Sequence, residues 1–478
     1  MQFKNLICLV FMLMLFIRHV FGLDWKVIEL SFPEEVTDGI ITDLDGDGLS
    51  DIIILSGRHI YIYKQSEFGF KKDPDDRIFY KQIGELIDVG DINPGYPGSE
   101  LLGISENGVK YFYFDGKHYK ENPVYFINQK IERTLFLVAP ILSDFAFDMN
   151  GDGLDDLLLF HDNDFYQYIN NGNGSTEKSK LENAYKIEDI SLNSRTLQNE
   201  FYCSDNSNMP LFFNPEVLTS KLVVFKTSNF NYDIIPNLNR PKHQTNFPSL
   251  ASLFDEKYQN MFFDINGDNR IDKISIEIND DFYSDFKFFR YAKYFLFLNI
   301  NNKFNDKPDY FFKSTILNNH IPFIDLENDG DLDFISIWSD VSLGSKESII
   351  QIMTNSILKY TLRCYRYING LGYSKTPDIS MGLKIKYANL SNIGSYIPID
   401  FSGDFNGDGN KDLCVRINPE NLLIYLMTFN EKKVNISRVF RISVPKYVDK
   451  FTSIEINNDN KSDILLTTGN KIILYLSQ

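Results

Sequence analysis

The sequence is poor in the residues that staple small secreted domains or build common catalytic centres. Its 478 residues include only four cysteines, six histidines and two tryptophans. Cys8 falls inside the N-terminal apolar segment, which leaves Cys203, Cys364 and Cys414. At most one disulfide can form from three thiols, so a disulfide scaffold is excluded. The histidines show neither a His-Glu-x-x-His pair nor another zinc-like spacing, and there is no phosphate-binding loop, nucleophile elbow or glycine-rich dinucleotide motif. Positive charge is short as well. Against 65 Asp and Glu stand 48 Lys and Arg, a net charge of −17, which argues against nucleic acid as a partner. Beyond the first 22 residues no apolar run approaches the roughly 20 residues of a membrane-spanning helix, and the closing run from Ile472 to Leu476 is far too short.

The N-terminus reads as an address. Lys4 opens a short basic region, an apolar stretch runs from Leu6 to Ile17, and Phe21-Gly22 offers a cleavage point. Residues 1–22 are expected to be a secretory signal peptide, with the body secreted or held at the cell surface. Arg18 and His19 are atypical beside a cleavage site and keep an uncleaved anchor open as the alternative.

Aromatic residues are plentiful at 15%, within a hydrophobic content of 43%. Phe, Tyr and Ile favour strands. Against this background one nine-residue pattern recurs. It reads Asp43-Leu44-Asp45-Gly46-Asp47-Gly48-Leu49-Ser50-Asp51, followed by an apolar run from Ile52 to Leu55. A second copy holds Asp148, Asn150, Asp152, Leu154 and Asp156 at positions 1, 3, 5, 7 and 9. The same positions are Asp264, Asn266, Asp268, Arg270 and Asp272, then Asp325, Glu327, Asp329, Asp331 and Asp333. They return as Asp404, Asn406, Asp408, Asn410 and Asp412, and last as Glu455, Asn457, Asp459, Lys461 and Asp463. Asp91-Ile92-Asn93-Pro94-Gly95, with Glu100-Leu101-Leu102 after it, is a seventh, degenerate copy.

Each position has a chemical reason. Calcium takes six to eight oxygens at about 2.3–2.6 Å. Oxygens at positions 1, 3 and 5 of a tight loop can converge on one ion. Position 7 can offer its backbone carbonyl, so its side chain is free to vary, and position 9, always Asp, can close the shell. Positions 4 and 6 are Gly or Asn, which tolerate the left-handed backbone of such a turn. Position 2 is always apolar and can pin the loop to a core. The candidate ligands are therefore all thirty residues named at these positions in the six good copies. About six structural Ca²⁺ ions are expected, with magnesium disfavoured by its stricter octahedral demand. An EF-hand would need an acid at position 12 and flanking helices. Position 12 is instead Ile54, Leu159, Ser275, Ser336, Val415 and Leu466. Strand–loop–strand sites fit better. Ordinary Asx turns would explain one copy, but not six in the same phase.

These loops, and the turns Asn170-Asn171-Gly172-Asn173-Gly174 and Asn369-Gly370-Leu371-Gly372 that follow strands, resemble FG-GAP/VCBS repeats, as found in the propellers of integrin α-subunits. The Gly-Ala-Pro tripeptide of integrin repeats is absent, Val138-Ala139-Pro140 being the nearest match. The resemblance implies an all-β chain in which residues 23–478 form a seven-bladed β-propeller with calcium loops within the blades. The last two strands, near 464–468 and 471–476, then lack a partner that Trp25–Leu30 can supply. The interval between Asp148 and Asp264 is longer than any other. It holds an insertion at 176–258 or, alternatively, an eighth blade without a calcium loop, using Leu222–Phe225. The function that follows by analogy is a protein- or glycan-binding or adhesion module, not an enzyme. The alternative is an extracellular propeller hydrolase or lyase acting on polysaccharide. Sequons at Asn173, Asn389, Asn435 and Asn460 matter only in a glycosylating host, and Asn460, inside a loop, is expected to stay unmodified.

Overall fold

In a computed structural model, the chain is described over residues 25–131, 141–142, 145–180, 210–213, 223–226, 258–279, 291–315, 322–339, 356–387 and 399–478, less a few short positions within those spans. Residues 1–22, most of 176–258 and Arg270 lie outside the described residues.

The protein is all-β. Among the described residues the helical content is one short turn, Tyr80–Gln82, and no helix is long and apolar enough to cross a membrane. Seven sheets of four or five strands follow one another along the chain. Sheet one is built from Val36–Thr42, Asp51–Ser56, His59–Tyr63 and Asp76–Phe79. Sheet two has Leu86–Gly90, Glu100–Ser105, Gly108–Phe112 and Val124–Ile127, with Ile141–Leu142 added in parallel on Leu86–Gly90. Sheets three to six repeat the antiparallel four-strand meander, with second strands Asp156–His161, Asp272–Asn279, Asp333–Ser339 and Leu413–Asn418. Sheet seven joins the two ends of the chain. Lys450–Ile454, Asp463–Thr468 and Lys471–Ser477 are completed by Trp25–Ser31, which pairs antiparallel with Lys471–Ser477 from Trp25↔Ser477 to Ser31↔Lys471. The first strand thus fills the place that the sequence left open. In the long interval, Val223–Lys226 pairs with Pro210–Phe213 in a separate two-stranded ladder.

Why the second strand of sheet one is an unbroken apolar run is clear from its surroundings. Side chains alternate between the two faces of a strand, and here both faces are covered, so alternation of polarity disappears. Ile52 and Ile54 pack with Ile454, Leu465 and Leu474 of sheet seven. Ile53 and Leu55, pointing the other way, pack with Ile87, Val89 and Leu101 of sheet two. The same sharing recurs between sheets two and three, four and five, five and six, and six and seven. Each described core cluster therefore lies between two consecutive sheets, and sheet seven returns to sheet one.

Candidate metal centres

Every nine-residue loop connects the first and second strands of its sheet, and position 9 is the residue at which the second strand begins, or, for Asp412, the residue just before it. Position 2 is buried wherever it is described: Leu44, Ile265, Leu326, Phe405 and Ile456 anchor the loops as the sequence implies. The backbone also behaves as the Gly/Asn pattern demands. Asn328, Asn458 and Asn460, at positions 4 and 6, have φ of 56°, 56° and 62°, and Gly46 has 72°. An ordinary side chain is strained there, and Asn tolerates it better than most.

The short side chains fold inward onto the loop's own N–H groups. Asp43 accepts from Gly46 at 2.7 Å and from Gly48 at 2.9 Å. Asp404 accepts from Gly407 and Gly409 at 2.8 and 2.7 Å, and Asp148 does the same with Gly151 and Gly153. Position 5 accepts from the N–H of position 7: Leu49 to Asp47, Leu154 to Asp152, Asp331 to Asp329, Asn410 to Asp408 and Lys461 to Asp459. At position 3, the amides of Asn150, Asn266 and Asn406 donate to the position 5 carboxylates Asp152, Asp268 and Asp408. Asn457 instead donates to the Ser477 carbonyl.

Position 9 has a second task. Asp51 Oδ2 accepts the Leu44 N–H at 3.0 Å while Oδ1 accepts the Gln65 N–H at 2.8 Å. Asp272 holds Ile265 and Asn299, Asp333 holds Leu326 and Tyr367, Asp412 holds Phe405 and Met427, and Asp463 holds Ile456 and Ser477. Asp156 accepts from Asn170. All six carboxylates are at most 1% exposed. Asp51, Asp272, Asp333, Asp412 and Asp463 each tie the start of the loop to the third strand or to the residues just after it, and Asp156 holds the end of the third strand. Burial, opposed by those two hydrogen bonds, pushes Asp51, Asp272 and Asp412 up to about 7 and Asp463 up to about 6, and raises Asp333 well above the usual carboxylate range. Burial, with the neighbouring Asp329 charge, pushes Asp331 up to about 8. Burial, then Asp463 and Asp459, pushes Glu455 up to about 7.

The first loop gathers three acids most closely. Carboxylate oxygens of Asp43, Asp45 and Asp51 lie within 4.8 Å of one another, and Asp45 Oδ1 is buried with no hydrogen-bond partner among the described residues. Among the described residues no second loop gathers three acids so closely, and the Asp325–Asp333 loop of sheet five has its own cation. The Arg366 guanidinium, its side chain 3% exposed, meets Glu327 at 2.5 Å and Asp378 at 3.3 Å. Lys64 stands more loosely off Asp45, at 3.9 Å. Neither basic residue belongs to the repeat pattern, and neither was foreseen.

Neighbouring loops are linked through position 8. Its N–H donates to the carbonyl at position 1 or 2 of the preceding loop: Ser99 to Asp43, Asp155 to Asp91, Leu332 to Ile265, Lys411 to Leu326 and Ser462 to Asp404, at 2.6–3.2 Å. The Asn458 amide reaches the Gly48 carbonyl and links the last loop to the first.

No family model matches the chain, and no curated protein matches it. Among solved structures, an Agrocybe aegerita lectin, described by its specific recognition of non-reducing terminal N-acetylglucosamine, is similar over 91% of this chain and 86% of that one, at 12% identity and a TM-score of 0.35.

Proposed function

We propose that this chain is a secreted or surface-displayed, calcium-stabilised seven-bladed β-propeller of the FG-GAP/VCBS type, whose role is to bind an extracellular protein or glycan. The ring arrangement is supported by the shared cores and loop links, which among the described residues join every neighbouring pair of sheets except three and four and return from sheet seven to sheet one. The single observation that carries the metal is the first loop. Asp43, Asp45 and Asp51 converge closely enough to share one cation, and the orphaned Asp45 Oδ1 is an oxygen in need of a partner. Hard carboxylate and amide oxygens suit Ca²⁺. Asp43, Asp45, Asp47 and Asp51 would hold it in the first loop, and the corresponding positions in the other five. The ion would neutralise acids that burial and mutual repulsion hold against ionisation.

The role of such ions is structural on this reading, because the loops bind neighbouring loops and buried strand starts. The acids engage loop N–H groups, which favours a scaffold over acid–base chemistry. Metal content of the purified chain and its melting temperature in calcium and in chelator test the calcium. Absence of bound calcium together with an unchanged melting temperature would sink it. A glycan array and an affinity pull-down test the binding role. Polysaccharide turnover abolished by a substitution outside the loops would replace it with the enzymatic reading.

A further inference from the structure

Between sheets four and five lies a cleft of about 520 Å³, within the ~300–1,000 Å³ of small-molecule sites. Strand periodicity explains its wall. In sheet five, Ser336 pairs with Arg363 and Phe334 with Tyr365. Positions two apart share a face, so Phe334, Ser336 and Trp338 stand on the side of the sheet that carries Arg363 and Tyr365. Ile335 and Ile337 turn the other way, into the core shared with sheet six. At one end of this face Phe334 stacks on Phe312 of sheet four, with ring centroids 4.2 Å apart, and the gap between sheets is filled. At the other end the side chains are Ser336, Trp338 and Arg363, and the gap stays open.

The cleft is held in shape by contacts between the sheets. Ser336 Oγ donates to the Lys313 carbonyl at 3.0 Å, and the Ile337 N–H donates to Ser314 Oγ at 3.0 Å. Tyr373, a buried part of its lining, donates its hydroxyl proton to the Leu332 carbonyl at 2.5 Å. Three cations line the cleft: Lys313, Arg363 and Lys375, all exposed. Among the described residues neither Arg363 nor Lys375 is in an ion pair. The one acid of the lining, Asp309, already accepts from the Leu298 N–H and the Asn305 amide. The recess is cationic and aromatic-walled on a chain of net charge −17.

We propose that this cleft is a binding site for an acidic saccharide bearing a carboxylate on its pyranose ring. The inference rests on the binding-module reading and deepens it. Trp338 offers a flat apolar surface for the C–H face of a sugar and a polar edge for its hydroxyls, and Tyr365, packed on Phe312 and Phe334, closes the inner end of that wall. The planar Arg363 guanidinium matches a carboxylate with two parallel N–H···O bonds, and Lys375 adds a second positive charge. A neutral sugar would gain the stacking alone. An acidic peptide would gain the charge but lacks the flat ring that the aromatic wall fits.

The test is a fluorescence titration of the full chain with trigalacturonate, maltotriose and hexaglutamate. Trp25 packs instead on Phe405 and Tyr475, so a Trp25→Phe background isolates the Trp338 signal. Trigalacturonate is expected to shift that signal saturably and to bind about tenfold or more tightly than maltotriose. Arg363→Ala is expected to weaken it by about tenfold or more, the scale of a lost bidentate pair, with Lys375→Ala weakening it less. Both side chains are exposed, so unchanged melting temperatures will show that the variants fold. Unchanged binding in Arg363→Ala overturns the site, as does hexaglutamate binding with the same Arg363 dependence. If trigalacturonate fails while the chain captures another glycan or a protein, the cleft assignment falls and the binding module stands. If nothing is captured, both fall.

Discussion

Glu100 Oε2 accepts the Ile92 N–H at 2.9 Å, the same bond that Asp51 makes to Leu44 in the first loop. Glu100 is buried at the start of its strand, where position 9 stands elsewhere. Its loop has no acid at position 5, yet this carboxylate persists. With Asn93 and Gly95 at positions 3 and 5, Asp91 and Glu100 are the acids left at ligand positions, and Glu100 still ties the loop to the strand, so the position 9 carboxylate has an architectural role of its own.

Glu100 also predicts a pH dependence. Burial, opposed by the Ile92 hydrogen bond and reinforced by the Asp91 charge, pushes it from 4.5 up to about 8. Between those values the folded chain keeps a proton that the unfolded chain gives up. Its contribution to stability is therefore greatest below 4.5 and falls as pH rises towards 8. Glu100→Gln keeps an acceptor for Ile92 and removes the charge. In thermal melts the variant should match the parent near pH 5 and exceed it by several degrees at pH 8. Parallel curves across that range would contradict this account.

Positions 3 and 9 of one loop should fail differently. Asp51→Ala strands the buried N–H groups of Leu44 and Gln65, each costing about 1–3 kcal/mol, and this loss should appear in chelator as well as in calcium. Asp45→Ala removes the orphaned Oδ1 together with a backbone hydrogen bond from Asp47 and a loose contact to Lys64 at 3.9 Å, and strands no buried N–H in the way that Asp51→Ala does. It should leave the melting temperature in chelator nearly unchanged and diminish the rise on adding calcium. A bound ligand at a hundred times its dissociation constant stabilises by about 2.7 kcal/mol, so loss of one site is measurable by calorimetry.

Much of this was open to reading in the sequence because it is local. The loop pattern, the buried position 2 and the left-handed Asn and Gly are set within nine residues. The second strands could be placed because their apolar runs follow directly. The pair of hydrogen bonds accepted by position 9 was not legible, because the second donor is a backbone N–H, which any residue but proline offers. Gln65, Asn170 and Asn299 are carboxamides, Tyr367 and Ser477 carry hydroxyls and Met427 is a thioether, so no single side chain marks the place. Arg366 was missed for a related reason: it reaches Glu327 from beyond the third strand of its sheet, where no repeat position marks it. The cleft beside Trp338 combines residues from two sheets, and no sequence motif spans them.

Arg366 should make the Asp325–Asp333 loop less dependent on calcium than the others. Its guanidinium is a resident cation between Glu327 and Asp378, and it lowers the cost of their charges. Replacing it with Met keeps much of the volume and leaves both carboxylates without that partner. Breaking a buried ion pair from one side costs about 3–5 kcal/mol. The expected outcome is a lower melting temperature in chelator and a larger gain on adding calcium than the parent shows. A variant that loses stability equally in both conditions would assign Arg366 to packing alone.

The joining of the chain ends makes the first strand a stability element. Leu30 pairs with Ile472 and is fully buried with Ile41, Ile52 and Leu474, so its side chain touches both sheet seven and sheet one. Val27, on the same strand, is 54% exposed. Leu30→Ala should cost about 2–5 kcal/mol, as large-to-small changes in a core do, while Val27→Ala should stay within about 0.5 kcal/mol as a surface change. Urea denaturation curves separate the two. If the first strand were a loosely attached end, both variants would unfold at the parent midpoint. A shift confined to Leu30→Ala means that the contact between the two ends of the chain is part of the cooperative unit.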